Sequence, residues 1–296
     1  EHLLWEIILV DNNSTDNTIA TAKLCCRKHA LHDKLSILAE PQQGLVYARK
    51  TGVENAKYEY VLFCDDDNHL AHDYVQRAFN RMESDSSIGV LGGRSQLLSD
   101  VDIPFWFSTY QQSFAIGVQG LDSGFELNHG FIWGAGMVIR KDLYAYCYNN
   151  EIDHILTGRV KGKTTSGDDV EINFWFRWAG YRLFYDENLV LLHFMPSQRL
   201  TKEYYKKLKE GFLNSEPALL KYSQIERFAK LRKSIVLRFF LFFISLIKYF
   251  IQRKKTDKIL LQIFHFFPFW VFDEQTKKIL SYYKKITDFS DAPKTL

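Results

Sequence analysis

The sequence predicts an α/β fold with a mostly parallel, doubly wound central sheet, followed by a helical tail. Short apolar runs alternate with helix-like stretches through the first third of the chain, which is the pattern of parallel strands joined by crossover helices. Two of these runs end in clusters of Asp and Asn. Basic and aromatic residues dominate the last third, so we assign residues 1–200 to a sheet-containing domain and residues 201–296 to the tail.

The first three predicted strands each end in a polar loop. An apolar run at 5–10 (WEIILV) precedes DNNSTDNT, whose turn-forming and N-cap residues lead into a helix at 16–30. A strand at 35–38 passes through PQQG into a helix at 45–55, and a strand at 60–64 ends in DDDN. Because parallel strands present their carboxyl ends at one edge of the sheet, both acidic loops should border the same crevice.

The alternation continues beyond the third strand with one irregular segment. We predict a helix near 72–84, a strand at 88–98, and then an aromatic, Gly-rich segment at 101–140 that forms the acceptor side of a substrate site. The GDDVEINFWFRWAG stretch predicts an acidic loop and a helix that ends at Gly180. The last two predicted strands follow directly and cover residues 181–185 and 189–194.

The amino-acid composition indicates what the protein binds and which kinds of site it lacks. Aromatic residues make up 16% of the chain, with 24 Phe, which indicates a surface for rings or for lipid. The four cysteines lack CxxC spacing, which argues against a structural zinc site or a disulfide framework and favours a reducing compartment. The chain opens at Glu1 with no initiator Met and no basic, apolar leader, so we expect no signal peptide and a truncated N-terminus.

Asp65, Asp66 and Asp67 directly follow an apolar strand. Three carboxylates at such a position repel one another unless a cation or a donor-rich ligand compensates their charge. A divalent cation that bridges phosphates would do so. The alternative is a solvated acidic turn, although the position at a strand end favours the cation site.

Four segments together resemble family 2 of the inverting glycosyltransferases, in this order: EIILVDNNSTDNT, GLVYARKTG, VLFCDDDN and GDDVEINFWFRWAGYRL. The resemblance covers residues 5–195 and implies a glycosyltransferase A fold that uses a nucleotide-diphospho-sugar donor with Mn²⁺ or Mg²⁺. Uridine diphosphate is the nucleotide that family frequency suggests. By the family's DxD motif, Asp65 would lie near the ribose and Asp67 on the metal, with Asp66 as the variable donor-side residue between them.

The resemblance assigns two further residues to the nucleotide. Asp11 would pair with the uracil ring, and Arg49 of GLVYARKTG would close over the nucleotide, where a guanidinium neutralises phosphate charge. Each has a plainer alternative, Asp11 as a helix N-cap and Arg49 as a surface ion pair. The family's opening strand and loop, which cradle the base, are absent before Glu1, and their loss would weaken donor binding.

Asp168 and Asp169 resemble the family's acidic pair, in which the second carboxylate deprotonates the acceptor hydroxyl. We therefore predict Asp169 as the general base and Asp168 as its neighbour on the acceptor side. Alternatively, both carboxylates cap the following helix, and the two roles are compatible. Trp133 and Gly134 of WGAG resemble the acceptor loop, in which an aromatic ring stacks on a sugar, unless Trp133 is a core residue.

His193 lies at the end of the last predicted strand. In some relatives of the family the matching position contacts the metal or a phosphate. Imidazole suits Mn²⁺ better than Mg²⁺, so this residue favours manganese if it is a ligand. A buried structural histidine is the alternative reading of the same position.

The tail combines positive charge with apolar runs. Residues 221–260 contain eleven Lys or Arg against two acidic residues, a net charge of +9. The apolar run at 235–251 reaches only the short limit for a membrane span, and the run at 259–272 contains Pro268. We expect both runs to lie in the cytoplasmic interface of the cell membrane, drawn by anionic lipid. A membrane span and a buried helical hairpin are the alternatives.

That location favours a lipid-linked saccharide as the acceptor, as in the assembly of a surface polysaccharide. A nucleic acid partner is disfavoured, because the basic residues interleave with Phe and Leu while the rest of the chain is acidic. Three other functions remain open. They are a polyprenyl-phosphate sugar synthase, which needs no general base, a nucleotidyltransferase, and a non-catalytic sugar-nucleotide-binding protein.

Overall fold

The computed structural model describes residues 3–160, 163–232 and 273–291. Contacts between Cα atoms divide the chain into two compact units, Glu1–Ser215 and Glu216–Leu296. The sequence predicts a boundary at residue 200, between a catalytic domain and a membrane-associating tail. This assignment stays a prediction.

The first unit begins with a parallel strand–helix–strand arrangement. β1 (Ile7–Asp11) pairs in parallel with β2 (Leu35–Ala39), and α1 (Thr18–Lys28) connects them. α2 (Leu45–Asn55) follows β2 and packs against β1. The predicted strands and helices of this region are confirmed to within two residues at each end.

A five-stranded sheet forms the centre of the first unit. Its strands, in spatial order, are β3 (Tyr60–Leu62), β6 (Val138–Arg140), β5 (Ile88–Leu98), β9 (Arg182–Phe194) and β4 (Asn68–Leu70). β5 and β9 are parallel, whereas β3 with β6, β6 with β5, and β9 with β4 are antiparallel. The α/β class with a central sheet is confirmed.

Strand direction in this sheet differs from the predicted, mostly parallel arrangement. A parallel neighbour requires a crossover connection that returns the chain to the starting end of the sheet, usually through a helix. The chain instead reaches β6 through the irregular segment 101–140, and it reaches β4 through the short acidic loop after β3. β6 and β4 run antiparallel to their neighbours, so the sheet is mixed.

The other α-helices in the described ranges are α3 (Tyr74–Ser84), α4 (Phe107–Tyr110), α5 (Lys141–Asn149), α6 (Asp168–Trp178), α7 (Lys202–Arg232) and α8 (Glu274–Asp291). α3 and α6 correspond to predicted helices. Gly180, which was expected to end the second of these, has φ of 83°, a conformation that glycine adopts without strain. A short antiparallel ribbon of β7 (Arg159–Val160) and β8 (Lys163–Thr164) precedes α6.

β9 is one continuous strand, although the sequence predicts two strands with a break between them. The break corresponds to a bulge, because the register against β5 shifts between Tyr185 and Val190. Gly93 of β5 lies beside this bulge, and a Cβ at that position would overlap the carbonyl oxygen of Leu189. The polar residues that resemble a turn in the sequence are thus accommodated within a strand.

Two clusters of buried apolar side chains hold the first unit together. One packs α3 against the central sheet and consists of Tyr74, Ala78, Met82, Ile88, Leu91, Ala135, Val138, Phe184, Leu189 and Leu191. The other joins the segment after β5 to the start of α7 and consists of Phe107, Phe114, Ile116, Met195, Leu200 and Leu208. Leu191 belongs to the first cluster and Met195 to the second, so buried contacts flank His193 on both sides.

In the second unit, the described residues are 216–232, at the end of α7, and 273–291, which include α8. Its buried apolar side chains include Tyr222, Ile225, Ile279, Tyr282 and Ile286. Lys221 Nζ donates to Asp273 Oδ2 at 2.6 Å. The apolar runs at 235–251 and 259–272 lie outside the described residues. Within the described ranges, no helix is both long enough and apolar enough to cross a membrane.

Candidate active site

Most of the predicted site residues form one connected group around the acidic loop after β3. This group consists of Arg49, Asp65, Asp67, Gly134, Asp168, Asp169 and His193. They come from α2, the loop after β3, the loop before β6, the start of α6 and the end of β9. The topology therefore brings together residues that are more than a hundred positions apart in the sequence, as the separation of 119 positions from Arg49 to Asp168 illustrates.

Three side chains contact the carboxylate of Asp67. Its Oδ1 accepts from Asn68 Nδ2 at 3.0 Å and lies 3.5 Å from His193 Nε2, while Arg199 Nη1 donates to Oδ2. The pairing of β4 with β9 sets Asn68 opposite His193, which explains why the imidazole reaches Asp67. Burial alone would raise the pKa of Asp67, but the contacts and charges of His193 and Arg199 lower it below its usual value.

A divalent cation fits the pair formed by Asp67 and His193. A carboxylate oxygen and an imidazole nitrogen are both ligands of first-row metals. The Nε2 of His193 is the ring nitrogen that faces Asp67, and the nearby Oδ1 of Asn68 is buried without a hydrogen-bond partner in the described part of the chain. Among the residues that the structure describes, no group of three or more His, Cys, Asp or Glu could hold a metal. A cation here would take its remaining ligands from substrate or water.

Arg49 connects the acidic groups from the buried side of the site. Its Nη1 donates to Asp168 Oδ2 at 2.5 Å, and the two side chains are only 5% and 12% exposed. Burial alone would lower the pKa of Arg49, but the charges of Asp168 and Asp65 raise it, so the guanidinium stays charged. The alternative of a surface ion pair is wrong, because the ion pair exists but lies in the interior.

Asp65 has a raised pKa, in contrast to Asp67. Burial is the main cause, and the charge of Asp67 adds to it, while Arg49 opposes the shift. A carboxyl group in this environment gains from a ligand that supplies hydrogen-bond donors or positive charge. Asp66, between the two, is exposed to solvent.

Asp169 has both carboxylate oxygens bonded to backbone donors. Oδ2 accepts from Gly134 N and Oδ1 from Val170 N, each at 2.9 Å. Burial and the neighbouring charge of Asp168 raise the pKa of Asp169 to about 6, although Arg49 and the backbone hydrogen bonds oppose the shift. The residue as a whole is half-buried. A carboxylate with this pKa accepts a proton more readily than an ordinary aspartate.

The acidic pair lies in the first turn of α6, as the alternative prediction requires, but neither carboxylate is the N-cap of this helix. Gly167 precedes the first turn, and Asp168 and Asp169 are its first two residues. Negative charge at this end interacts favourably with the helix dipole. Each carboxylate therefore stabilises the helix end while it contacts the rest of the site.

Gly134 allows the loop before β6 to approach both Arg49 and Asp169. A Cβ at this position would lie 2.7 Å from Arg49 Nη2 and 3.3 Å from Asp169 Cβ. The absence of a side chain therefore lets the Gly134 N–H reach the Asp169 carboxylate. The resemblance predicts that small residues in this loop let the backbone approach a sugar. In this structure, the backbone at Gly134 instead approaches the charged side chains of Arg49 and Asp169.

Trp133 lies in the interior, as its plainer alternative predicts, with 6% of its surface exposed. Its backbone N–H donates to Gln119 Oε1 at 2.7 Å, and its ring stacks on His129 with centroids 6.1 Å apart. Asn173 of α6 holds the same loop by accepting from Ile132 N and donating to Ile132 O, both at 2.9 Å. An acceptor-binding role for Trp133 stays a prediction.

Asp11 ends β1 and contacts its own loop. Its Oδ1 accepts from Ser14 N at 3.1 Å, whereas α1 begins only at Thr18, so Asp11 is not the cap of that helix. Asn12 secures the loop by donating to Glu40 O at 2.8 Å. The proposed contact of Asp11 with a nucleotide base stays a prediction.

Three residues of the site were not predicted from the sequence: Asn68, Asn173 and Arg199. Asn68 stands in DDDN, so its position beside Asp67 was a usable signal. Asn173 lies inside the α6 helix and Arg199 in the PSQRL segment after β9. No motif or periodicity distinguishes either residue.

Three solved structures are similar to this chain in fold. S. aureus TarS 1–349 has a TM-score of 0.46 and 15% identity, covering 96% of this chain and 81% of that one. The Pyrobaculum calidifontis mannosyltransferase PcManGT, in complex with GDP-Man and Mn²⁺, has a TM-score of 0.44 and 16% identity, covering 98% and 67%. GalNAc-T7 with UDP, GalNAc and Mn²⁺ has a TM-score of 0.48 and 13% identity, covering 78% and 46%.

Curated relatives are similar over part of their length. Glycosyltransferase GlyA of Streptococcus pneumoniae serotype 4 is 29% identical over 87 residues, which cover 28% of this chain and 12% of the relative. Cholesterol galactosyltransferase of Borreliella burgdorferi is 29% identical over 82 residues, covering 28% and 22%. Glycosyltransferase GlyG of S. pneumoniae serotype 4 is 24% identical over 195 residues, covering 63% and 60%. The chain therefore spans less than two thirds of each of these relatives.

Residues 1–147 match the family model described as glycosyl transferase family 2. The matched segment includes Arg49, the acidic triplet after β3 and Gly134, while the acidic pair of α6 and His193 follow it. The relatives that this chain resembles carry glycosyltransferase names. Together, the match and the relatives identify residues 1–147 as a glycosyltransferase family 2 domain.

Proposed function

We propose that this protein transfers a sugar, with inversion, from a nucleotide-diphospho-sugar to a hydroxyl group of an acceptor. The observation that carries the proposal is the arrangement of acidic groups around one buried guanidinium. Arg49 bonds to Asp168 and interacts with the charge of Asp65. The carboxylates proposed for the donor side and for the acceptor side thus share one cationic neighbour, which is a geometry suited to holding two substrates together.

Asp169 is the general base in this proposal. Its carboxylate takes the proton from the acceptor hydroxyl while that oxygen bonds to the anomeric carbon, and the bond from this carbon to the diphosphate breaks. Attack opposite the leaving group inverts the configuration. A pKa of about 6 leaves Asp169 mostly ionised at neutral pH and still basic enough to accept the proton.

Asp67 and His193 form the donor side of the site, together with Asp65 and Asp66. The first two would hold Mn²⁺ or Mg²⁺, which when bound would neutralise charge on the departing diphosphate. An imidazole ligand favours Mn²⁺. Asp65 and Asp66 would border the ribose, and Asp11 the base, with a UDP-sugar as the first donor to test.

A lipid-linked saccharide is the acceptor that we propose, at the cytoplasmic face of the membrane. The net charge of +9 over residues 221–260, next to apolar runs, supports attachment to an anionic lipid surface. One relative is named for cholesterol, a lipid acceptor. Trp133, Gly134 and Asp168 would border the acceptor, and the product would enter a surface polysaccharide.

The test uses the full chain reconstituted with anionic lipid vesicles. Release of nucleotide is measured with a panel of nucleotide sugars and Mn²⁺, with and without a polyprenyl-diphosphate oligosaccharide. We expect release from one donor, and a loss of more than about 100-fold for both Asp67→Ala and Asp169→Asn. Asp33→Asn, at a side chain that is 87% exposed, is the matched control and should retain activity.

The alternatives predict different outcomes of the same assay. Dependence on Asp67 without dependence on Asp169 indicates a polyprenyl-phosphate sugar synthase, because an ionised phosphate acceptor needs no base. Binding of a nucleotide sugar without turnover by any acceptor indicates a non-catalytic protein. Failure to bind any nucleotide sugar with metal contradicts the proposal as a whole.

A further inference from the structure

Arg199 is fixed beside the proposed cation site by the turn that joins β9 to α7. Within this turn, Arg199 N donates to Pro196 O at 2.8 Å and Leu200 N donates to Ser197 O at 3.1 Å. Met195 and Leu200, on either side of the arginine, are buried in the same apolar cluster. The backbone at Arg199 is therefore anchored on both sides, and its guanidinium bonds to Asp67.

Most hydrogen-bonding capacity of Arg199 is unused. Nη1 donates to Asp67 Oδ2, and no other group in the described part of the chain bonds to the guanidinium. The side chain is 32% exposed, so its other donors are accessible from solvent at the edge of the acidic group. A planar fork of free N–H donors matches the oxygens of a phosphate group.

The contact between Arg199 and Asp67 occupies a carboxylate oxygen that a cation would also use. One carboxylate oxygen of Asp67 contacts Asn68 and lies near His193, and the other contacts Arg199. A guanidinium on this carboxylate opposes binding of a divalent cation, because the two positive charges repel each other at short range. Arg199 and the cation therefore compete for Asp67 unless Arg199 finds another anion.

We propose that Arg199 is a donor-binding residue that exchanges Asp67 for the diphosphate of the sugar donor when the cation binds. The inference rests on the proposed function and adds a residue to its donor site. Without donor, Arg199 neutralises Asp67. With donor, the cation takes Asp67 and the guanidinium takes phosphate oxygens, so cation and donor bind cooperatively.

The experiment compares Arg199→Ala with the unchanged full-length chain. Binding of UDP, and of GDP as a second probe, is measured by calorimetry in the presence of Mn²⁺, and binding of Mn²⁺ alone by electron paramagnetic resonance. We expect nucleotide binding to weaken about 10- to 100-fold, from loss of charge-assisted hydrogen bonds. Binding of Mn²⁺ alone should tighten at least about threefold, because the competing charge is gone.

Two further variants make the comparison specific. Arg199→Lys keeps the charge without the planar fork, so nucleotide binding should lie between those of the original chain and the alanine variant. Arg27→Ala removes an exposed arginine of α1 and should change neither affinity. If circular dichroism shows that Arg199→Ala is unfolded, Arg199→Gln replaces it in both measurements.

The outcomes separate this inference from the proposed function. Unchanged nucleotide affinity, or weaker Mn²⁺ binding, in a folded Arg199 variant contradicts the exchange and leaves the proposed function standing. If the unchanged chain binds neither nucleotide with Mn²⁺, both proposals fail. Weaker nucleotide binding together with tighter Mn²⁺ binding supports the exchange, since a purely structural role would weaken both.

Discussion

Asp169 experiences opposing influences on its pKa. Its two backbone hydrogen bonds favour the carboxylate, yet burial and the charge of Asp168 raise its pKa to about 6. Because the base must be unprotonated to act, we expect kcat/KM to be constant above about pH 7 and to fall roughly tenfold per pH unit below the pKa. Asp168→Asn should move this acidic limb to lower pH, because the neighbouring negative charge is removed.

The measurement is kcat/KM against pH at fixed ionic strength, with a buffer series that overlaps at each step. The exposed Asp33→Asn variant should leave the acidic limb in place. An acidic limb that stays at the same pH in Asp168→Asn would show that another group controls it.

The burial of Arg49 determines how its substitution should affect the stability of the protein. Replacement by alanine would leave the buried carboxylate of Asp168 without its partner, and breaking such a pair costs about 3–5 kcal/mol. We expect Arg49→Ala to lower the free energy of unfolding by this amount in urea denaturation at neutral pH. Arg27→Ala, at an exposed position, should change it by less than about 0.5 kcal/mol. A loss near zero for Arg49→Ala would mean that water reaches Asp168.

The sequence predicts those residues of the candidate site that belong to motifs. Asp65 and Asp67 follow a strand, and Asp169 opens a helix, so their types and positions carry information that is local in sequence. The burial of Arg49 is a property of the packed structure and is invisible in GLVYARKTG. Arg199 contacts Asp67 across 132 positions from an irregular turn, so no local pattern could indicate it.

At the scale of elements, the loop before β6 and the helices α2 and α6 meet at one point. Gly134→Ala would set a methyl group 2.7 Å from Arg49 Nη2. The guanidinium or the loop must shift, so we expect kcat to fall at least tenfold and stability to fall by about 1–3 kcal/mol. Gly124→Ala is the matched control, because a Cβ there has nothing within 4 Å.

The measurements for this pair are steady-state kinetics and urea denaturation on both variants. Equal losses in the two variants would show that the effect does not come from contact with Arg49, because alanine at an unstrained glycine position should raise stability slightly by reducing the entropy of the unfolded chain. A selective effect of Gly134→Ala would show that the approach of this loop matters for activity.

Elements were predicted more accurately than their arrangement. Apolar periodicity identifies β1, α1, β2 and α2, because each has a clear run and a polar end. Strand direction depends on which strands become neighbours, and periodicity contains no such information. The bulge of β9 was predicted as a break between two strands, because Asp186 and Asn188 are residue types that are typical of turns.

At the scale of the whole molecule, attachment to lipid should depend on the charge of the tail. We expect the full chain to bind vesicles with anionic lipid and to dissociate as salt concentration rises. Substitution of Arg253, Lys254 and Lys255 by Gln should weaken binding by roughly 1 kcal/mol per charge removed. The measurement is cosedimentation with vesicles of defined phosphatidylserine content.

The control for this prediction has the same change of charge in the first unit. Substitution of the exposed residues Lys23, Arg27 and Lys28 of α1 by Gln should alter vesicle binding far less. Equal loss from both sets would indicate a general effect of net charge. Binding that persists at high salt would indicate that apolar contacts dominate.

The continuity of β9 limits how the chain can change in length. Successive side chains of a strand point to opposite faces, so removal of one residue between Val190 and His193 would turn the imidazole away from Asp67. The bulge before Val190 is already out of register with β5, and there an insertion or deletion would leave the pairing that follows unchanged. Natural variation in chain length along this strand should therefore collect in the bulge and avoid the four residues that end at His193.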